Sequence, residues 1–217
     1  ESSITYVPTF SLFRQLKNNQ AFDIELSYRS SMTILDNPDI NLSSELYRSW
    51  LRYTNPALEL RLGLQKIIFG PSQILRPLAW FDNLDYNDPL GQTDGINAFR
   101  LTWNPIKKIY FTSWLINDKE FDFLKPGMRI EIDYRFGQIG ASIHNFKINN
   151  APIATQLGFD CRYDGIIGLW SENSFYFFDN KKSIINSMMG LDYTVPFFSG
   201  ITFMIEYMHT KNNSILA

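Results

Sequence analysis

Sixteen charged side chains dominate the chemistry available to this chain. Eight arginines (Arg29, Arg48, Arg52, Arg61, Arg100, Arg129, Arg135 and Arg162) and eight acids (Asp23, Glu25, Glu59, Glu131, Asp133, Asp160, Asp192 and Glu206) stand at alternate positions of segments whose intervening residues are apolar. Guanidinium forks and carboxylates in equal number can pair across neighbouring strands. In a wetted space they can also replace part of a polar solute's hydration. The balance of signs argues against a steeply ion-selective field. Other chemistry is thin. There are two histidines, His144 and His209, and no HExxH, CxxC, GxSxG or P-loop pattern. The reading assigns no catalytic residue, metal ligand or cofactor and does not expect an enzyme. His144 reads as a polar interface residue at a strand end. The lone Cys161 stands on the apolar parity of its segment and reads as a small hydrophobe. A net charge of -2 without a polybasic stripe gives no footing for nucleic acid.

The elements that carry these charges read as strands. Leu58, Leu60, Leu62 and Leu64 alternate with Glu59, Arg61, Gly63 and Gln65, and a period of two puts the two sets on opposite faces of a strand. Phe99, Leu101 and Trp103 repeat the pattern, and Met128, Ile130, Ile132, Tyr134 and Phe136 give its cleanest case. In the segment 45–54, Tyr47, Leu51 and Tyr53 are expected on one face and Arg48 and Arg52 on the other. Alternation is regular from Ala21, and eleven strands are predicted between there and the end of the chain. Residues 1–20 read as a lead-in or plug segment, with Ile4–Phe13 as an alternative extra strand that Pro8 would confine to an edge. Short turns are expected at Asn55-Pro56, Asn104-Pro105, Gly137-Gln138, Asp164-Gly165 and the PFFSG stretch from Pro196. Longer polar loops fall between them.

Strands of about 9–12 residues span a bilayer at a tilt, and short turns alternating with longer loops is the asymmetry of outer-membrane barrels. No run of about 18 apolar residues suggests a transmembrane helix. The apolar face carries Tyr28, Tyr53, Trp103, Tyr134, Tyr163, Tyr193 and Tyr207 near strand ends, as interfacial girdles do. The charged face cannot meet lipid, where one Arg at mid-bilayer costs about 2–4 kcal/mol. It cannot fill a dry core either, because desolvating that many charges is prohibitive. A wetted lumen satisfies both limits, and it would be lined by Arg29, Arg48, Arg52, Glu59, Arg61, Arg100, Arg129, Glu131, Asp133, Arg135, Asp160, Arg162, Asp192 and Glu206. The fold expected is all-β: an antiparallel transmembrane β-barrel over residues 21–217.

Between the leucine strand and the next lies a loop of about 25 residues, a length that is usually functional or disordered. It holds Arg76, Trp80, Phe81, Asp82 and Tyr86. Two readings stand. The loop folds inward so that Arg76, Trp80 and Asp82 narrow a pore, or it stays outside and meets a partner or ligand through Trp80, Phe81 and Tyr86. Asp94-Gly95 restarts the strand.

The stretch 59–100 resembles the alginate-export and related carbohydrate-porin-like outer-membrane barrels. The matching residues are Arg61, Gly63, Gln65 and Gly70, a loop with Arg76 and Trp80, then Asp94-Gly95 opening a strand with Arg100. Leu64 stands where that family usually has Arg. The resemblance implies a bacterial outer-membrane location and passive passage of small polar or carbohydrate-like solutes. The alternative is a non-conducting structural barrel that serves as a subunit of a larger outer-membrane assembly. The partners expected are the lipid bilayer, a small polar solute and other outer-membrane proteins. The chain begins at Glu1 without Met, as a processed exported protein would. Eleven is an odd number where single-chain bacterial barrels have even ones. The expectation is therefore a barrel of 12–18 strands, with the remainder in a longer chain or one strand from residues 4–13.

Overall fold

The computed structural model describes residues 2–34, 40–81, 93–117, 124–147, 153–178, 182–197 and 199–213. Asp82 and Tyr86 lie outside that set. Thirteen antiparallel strands make one sheet, and no helix occurs among the described residues. They are β1 (Ser2–Tyr6), β2 (Thr9–Gln15), β3 (Ala21–Ile34), β4 (Ile40–Thr54), β5 (Leu58–Gln65), β6 (Ile96–Ile106), β7 (Ile109–Asn117), β8 (Leu124–Tyr134), β9 (Gly137–Phe146), β10 (Ala154–Asp164), β11 (Gly168–Phe177), β12 (Ser183–Val195) and β13 (Ile201–Asn213). The eleven strands read from the sequence are β3 to β13.

The chain divides into two compact units, one of Glu1–Ile67 with Phe81–Leu101, the other of Ile68–Trp80 with Thr102–Ala217. In the first, the order is β1-β3-β4-β5-β6 with β2 also on β3. The residues expected as a lead-in or plug are β1 and β2, and together they form a single strand with a break. Tyr6 lies opposite Ser30 and Thr9 opposite Ser27, so the register continues through the interruption. Pro8 supplies the break, since it has no N–H for the ladder, while its carbonyl still accepts from the Tyr28 N–H at 3.1 Å. In the second unit, the order is β6 to β13 by nearest neighbours.

Burial is inverted relative to a water-soluble sheet. On β8, Met128 is 61% and Ile132 43% exposed, while Arg129 between them is 2% exposed. On β10, Phe159 is 48% exposed beside Asp160 at 5%. Cys161 is exposed on the apolar side. Alternation thus places apolar residues on a bare face and polar residues on the covered one.

Three details differ from the sequence reading. Tyr47 was expected on the apolar face. A β-bulge on β4 places Ser27 opposite Arg48 and Tyr28 opposite Leu46, leaving Tyr47 as the extra residue. Leu46 is exposed, whereas Tyr47 and Arg48 are both buried, with the Arg48 guanidinium 3.9 Å from the Tyr47 ring centroid. One added residue breaks the period of two, so neighbours in sequence share a face. The second difference is in the turns. β6 runs through Asn104-Pro105, and the reversal falls at 107–108, where Lys108 has φ 75°. A strand's end is a place where the missing proline N–H is tolerated. The next turn is Arg135-Phe136, one pair earlier than Gly137-Gln138, and 165–167 replaces a two-residue Asp164-Gly165 turn. Asn55 behaves as expected: its side-chain oxygen accepts from the N–H groups of Ala57 and Leu58, both at 2.9 Å. Third, His144 is no interfacial residue. It is 3% exposed on the polar face.

Candidate functional site

The polar face of the first unit is an arginine–carboxylate network. Arg52 on β4 donates to both oxygens of Asp23 on β3, its registered partner. Glu59 on β5 collects three guanidinium groups, Arg100 at 2.7 Å, Arg61 at 3.3 Å and Arg52 at 3.5 Å. Arg61 also lies 4.5 Å from the Trp50 ring centroid. A cavity of about 300 Å³ opens beside them, lined by Ser11, Phe13, Asp23, Trp50, Arg52 and Arg61 among others. The buried Nε atoms of Arg61 and Arg100 find no protein acceptor, so the network keeps unspent donor capacity. Further along, Arg29 bridges Glu45 and Asp94. Arg48 donates to the carbonyls of Tyr47 and Thr93. Gln65, fully buried, donates to the Ala98 carbonyl at 2.9 Å.

In the second unit, Arg129 on β8 reaches over β9 to Asp160 on β10, with bonds of 2.6 and 2.9 Å. It also touches Ser142 at 2.9 Å and Glu131 at 3.1 Å. The crossing requires Gly140 on β9, because a Cβ there would collide with the Arg129 guanidinium. Asp133 accepts from Gln138 at 2.9 Å. Arg162 pairs with Asp164 at 2.6 Å and lies 3.7 Å from Asp192. Arg135 alone among the expected lining residues sits at a turn, exposed, with its guanidinium 4.9 Å from the Phe136 ring centroid.

Residues 68–80, the first part of the long loop, cross this polar face as a strap. Phe69 packs on Trp114 of β7 at 5.0 Å between ring centroids and on Arg129 of β8 at 5.2 Å. Trp80 stacks 6.1 Å from His144 of β9, and Gly158 of β10 leaves room for Leu78 and Trp80. Two carboxylates then hold the backbone. Glu172 on β11, fully buried, accepts from the Ser72 N–H at 2.7 Å, the Ser72 hydroxyl, and the Leu78 N–H at 3.2 Å. Glu206 on β13 accepts from the N–H groups of Gln73, Ile74 and Leu75 at 2.8, 2.9 and 2.6 Å and from the Trp170 indole at 3.2 Å. Such satisfaction is what lets backbone of no regular structure lie buried. Of the loop residues expected to matter, Trp80 is on this face. The Arg76 carbonyl caps a turn by accepting from the Ala79 N–H at 3.1 Å.

Glu172, Ser72 and the Trp–Gly pairs were not singled out in the sequence. Three strand tryptophans on the polar face lie opposite a glycine: Trp50 opposite Gly63, Trp114 opposite Gly127, and Trp170 opposite Gly190. A Cβ on Gly127 or Gly190 would meet the indole directly, so each glycine makes room for a flattened ring. A tryptophan and a glycine about 13 residues apart across one hairpin was a readable signal in two of the three cases.

No protein-family model matches the chain, and no curated protein matches it. Among solved structures it is similar to a loop-deletion mutant of OmpT, an outer membrane protein of Vibrio cholerae. The identity is 10%, the TM-score 0.46, and the match covers 99% of this chain and 95% of that one. It is also similar to a triple mutant of the Rhodopseudomonas blastica porin, at 11% identity and TM-score 0.40, covering 97% and 91% respectively. Neither the alginate-export family nor any other has a matching model, so the site rests on its own geometry.

Proposed function

We propose that this chain is a transmembrane β-barrel of a bacterial outer membrane whose polar interior passes small polar or carbohydrate-like solutes by diffusion. The observation that supports it is the inverted burial. Apolar side chains such as Met128, Phe159, Leu169 and Leu191 are exposed in period two, while Arg129, Asp160 and Glu172 are covered. Water would not favour so large a bare apolar face, and lipid requires one. In this reading the strap 68–80 sets the narrowest section, and the Arg52–Arg61–Arg100 group with Trp50 meets the solute. The cavity of about 300 Å³ lined by Trp50, Arg52 and Arg61 supports solute contact there.

One observation favours a second reading, a sealed structural barrel: Leu78 of the strap and Trp114 beneath it are each 1% exposed, so the strap packs tightly. Planar-bilayer recording separates the two. The purified protein is expected to give stable unit conductance in potassium chloride, and deleting residues 72–78 should raise it several-fold. Absence of conductance in both proteins would overturn the channel reading in favour of the sealed barrel.

A further inference from the structure

The carboxylate of Glu206 occupies an unusual seat. It is held by three consecutive backbone N–H groups and one indole N–H, and among the described residues it forms no ion pair. Successive N–H groups that converge on one point form an anion-binding concavity regardless of which anion fills it. All three backbone donors belong to the strap, and the anion belongs to the wall. The two carboxylate latches also differ in access. Glu172 is fully buried, while Gln73 and Ile74 at the Glu206 latch are exposed, so solvent reaches one and not the other.

We propose that the backbone cradle at residues 73–75 is an oxyanion site, that Glu206 is its resident occupant, and that a soluble carboxylate or phosphate group competes for it and unlatches this part of the strap from β13. The Glu172 latch stays closed, so the strap swings about residues 72 and 78 without leaving the polar face. The proposal deepens the channel reading and rests on its placement of the strap in the interior. It makes the narrow section responsive to anionic solutes. Because Glu206 is tethered, its effective concentration at the cradle is of the order of millimolar or above, so the response belongs at millimolar anion concentrations.

The test uses the full chain with Cys161→Ser and Ile74→Cys, a nitroxide on residue 74, reconstituted in phosphatidylcholine liposomes. Inorganic phosphate replaces chloride at constant ionic strength, and electron paramagnetic resonance reads the immobilised fraction. In this parent that fraction should fall about two-fold and saturate. With Glu206→Ala added, the label should be mobile at the outset and indifferent to phosphate. With Glu206→Gln, which removes the charge and one acceptor, half-response should come at about ten-fold lower phosphate. Conductance is recorded on the same samples. A phosphate-dependent label in a protein that never conducts overturns the channel reading and leaves the anion site standing. A conducting protein whose label ignores phosphate, or responds equally in the Glu206→Ala variant, overturns the anion site.

Discussion

Gly140 shows how much a single position can decide here. Arg129 and Asp160 stand on strands that are not neighbours, and their pairing depends on the missing side chain between them. Both are nearly buried, so the pair exists only while each charge has the other; separating a buried pair costs about 3–5 kcal/mol. Gly140→Ala should therefore lower unfolding free energy in detergent by that order, read by urea titration. In an Arg129→Met, Asp160→Leu background the same substitution should cost less than about 1 kcal/mol. An equal cost in both backgrounds would place the strain in the backbone and not in the pair. Gly70 follows the same logic on the strap, with φ 83° and a Cβ position already filled by the Glu172 carboxylate. Neither glycine's purpose can be read from the sequence, because the groups that need the space lie 11 to 102 residues away along the chain.

At the level of elements, the period of two was legible because the two faces of each strand meet different surroundings. Nothing in a soluble core would tolerate Arg129 and Asp133 flanking Glu131 on one side. Strand existence followed from this, as did the outward facing of Leu62 in β5 and of Cys161. What period two could not reveal was where it lapses. The β4 bulge turns Tyr47 over, and its cause is a local irregularity with no composition signal. The turns shifted because Pro105 can end a strand as well as shape a turn, and because Gly137 is needed for close approach: a Cβ there would meet the Arg162 carbonyl. Lys108 takes up the strain of the resulting two-residue connection at φ 75°, a region that costs an L residue roughly 1 kcal/mol. Lys108→Gly should stabilise the protein by about 0.5–1 kcal/mol in the same urea titration. A destabilisation would mean that the lysine side chain contributes a contact worth more than its backbone strain. The path of the strap was illegible for another reason: Glu172 and Ser72 are 100 residues apart, and the sequence offered no ground for choosing an inward over an outward loop.

For the whole molecule, the apolar and polar faces do different jobs, and the tryptophans are divided between them. Trp50, Trp114 and Trp170 lie on the polar face against glycines, and Trp80 stacks on His144 there. Trp103 is the remaining one of five; it is 48% exposed, beside Phe111 on the apolar face. In the proposed membrane barrel the sheet itself would shield the polar-face rings from hydrocarbon, and Trp103, near a strand end, would stand at the level where amphipathic rings meet headgroups. Light absorbed by this protein should therefore report from two populations. In bilayers of brominated lipid, intrinsic fluorescence should lose about one fifth of its intensity, since one indole of five reaches the quencher. Trp103→Phe should abolish that loss and leave the aqueous quencher acrylamide acting as before on the rest. Trp103 is then a native optical marker of membrane insertion, and Trp80, Trp114 and Trp170 are a separate marker of what happens at the strap.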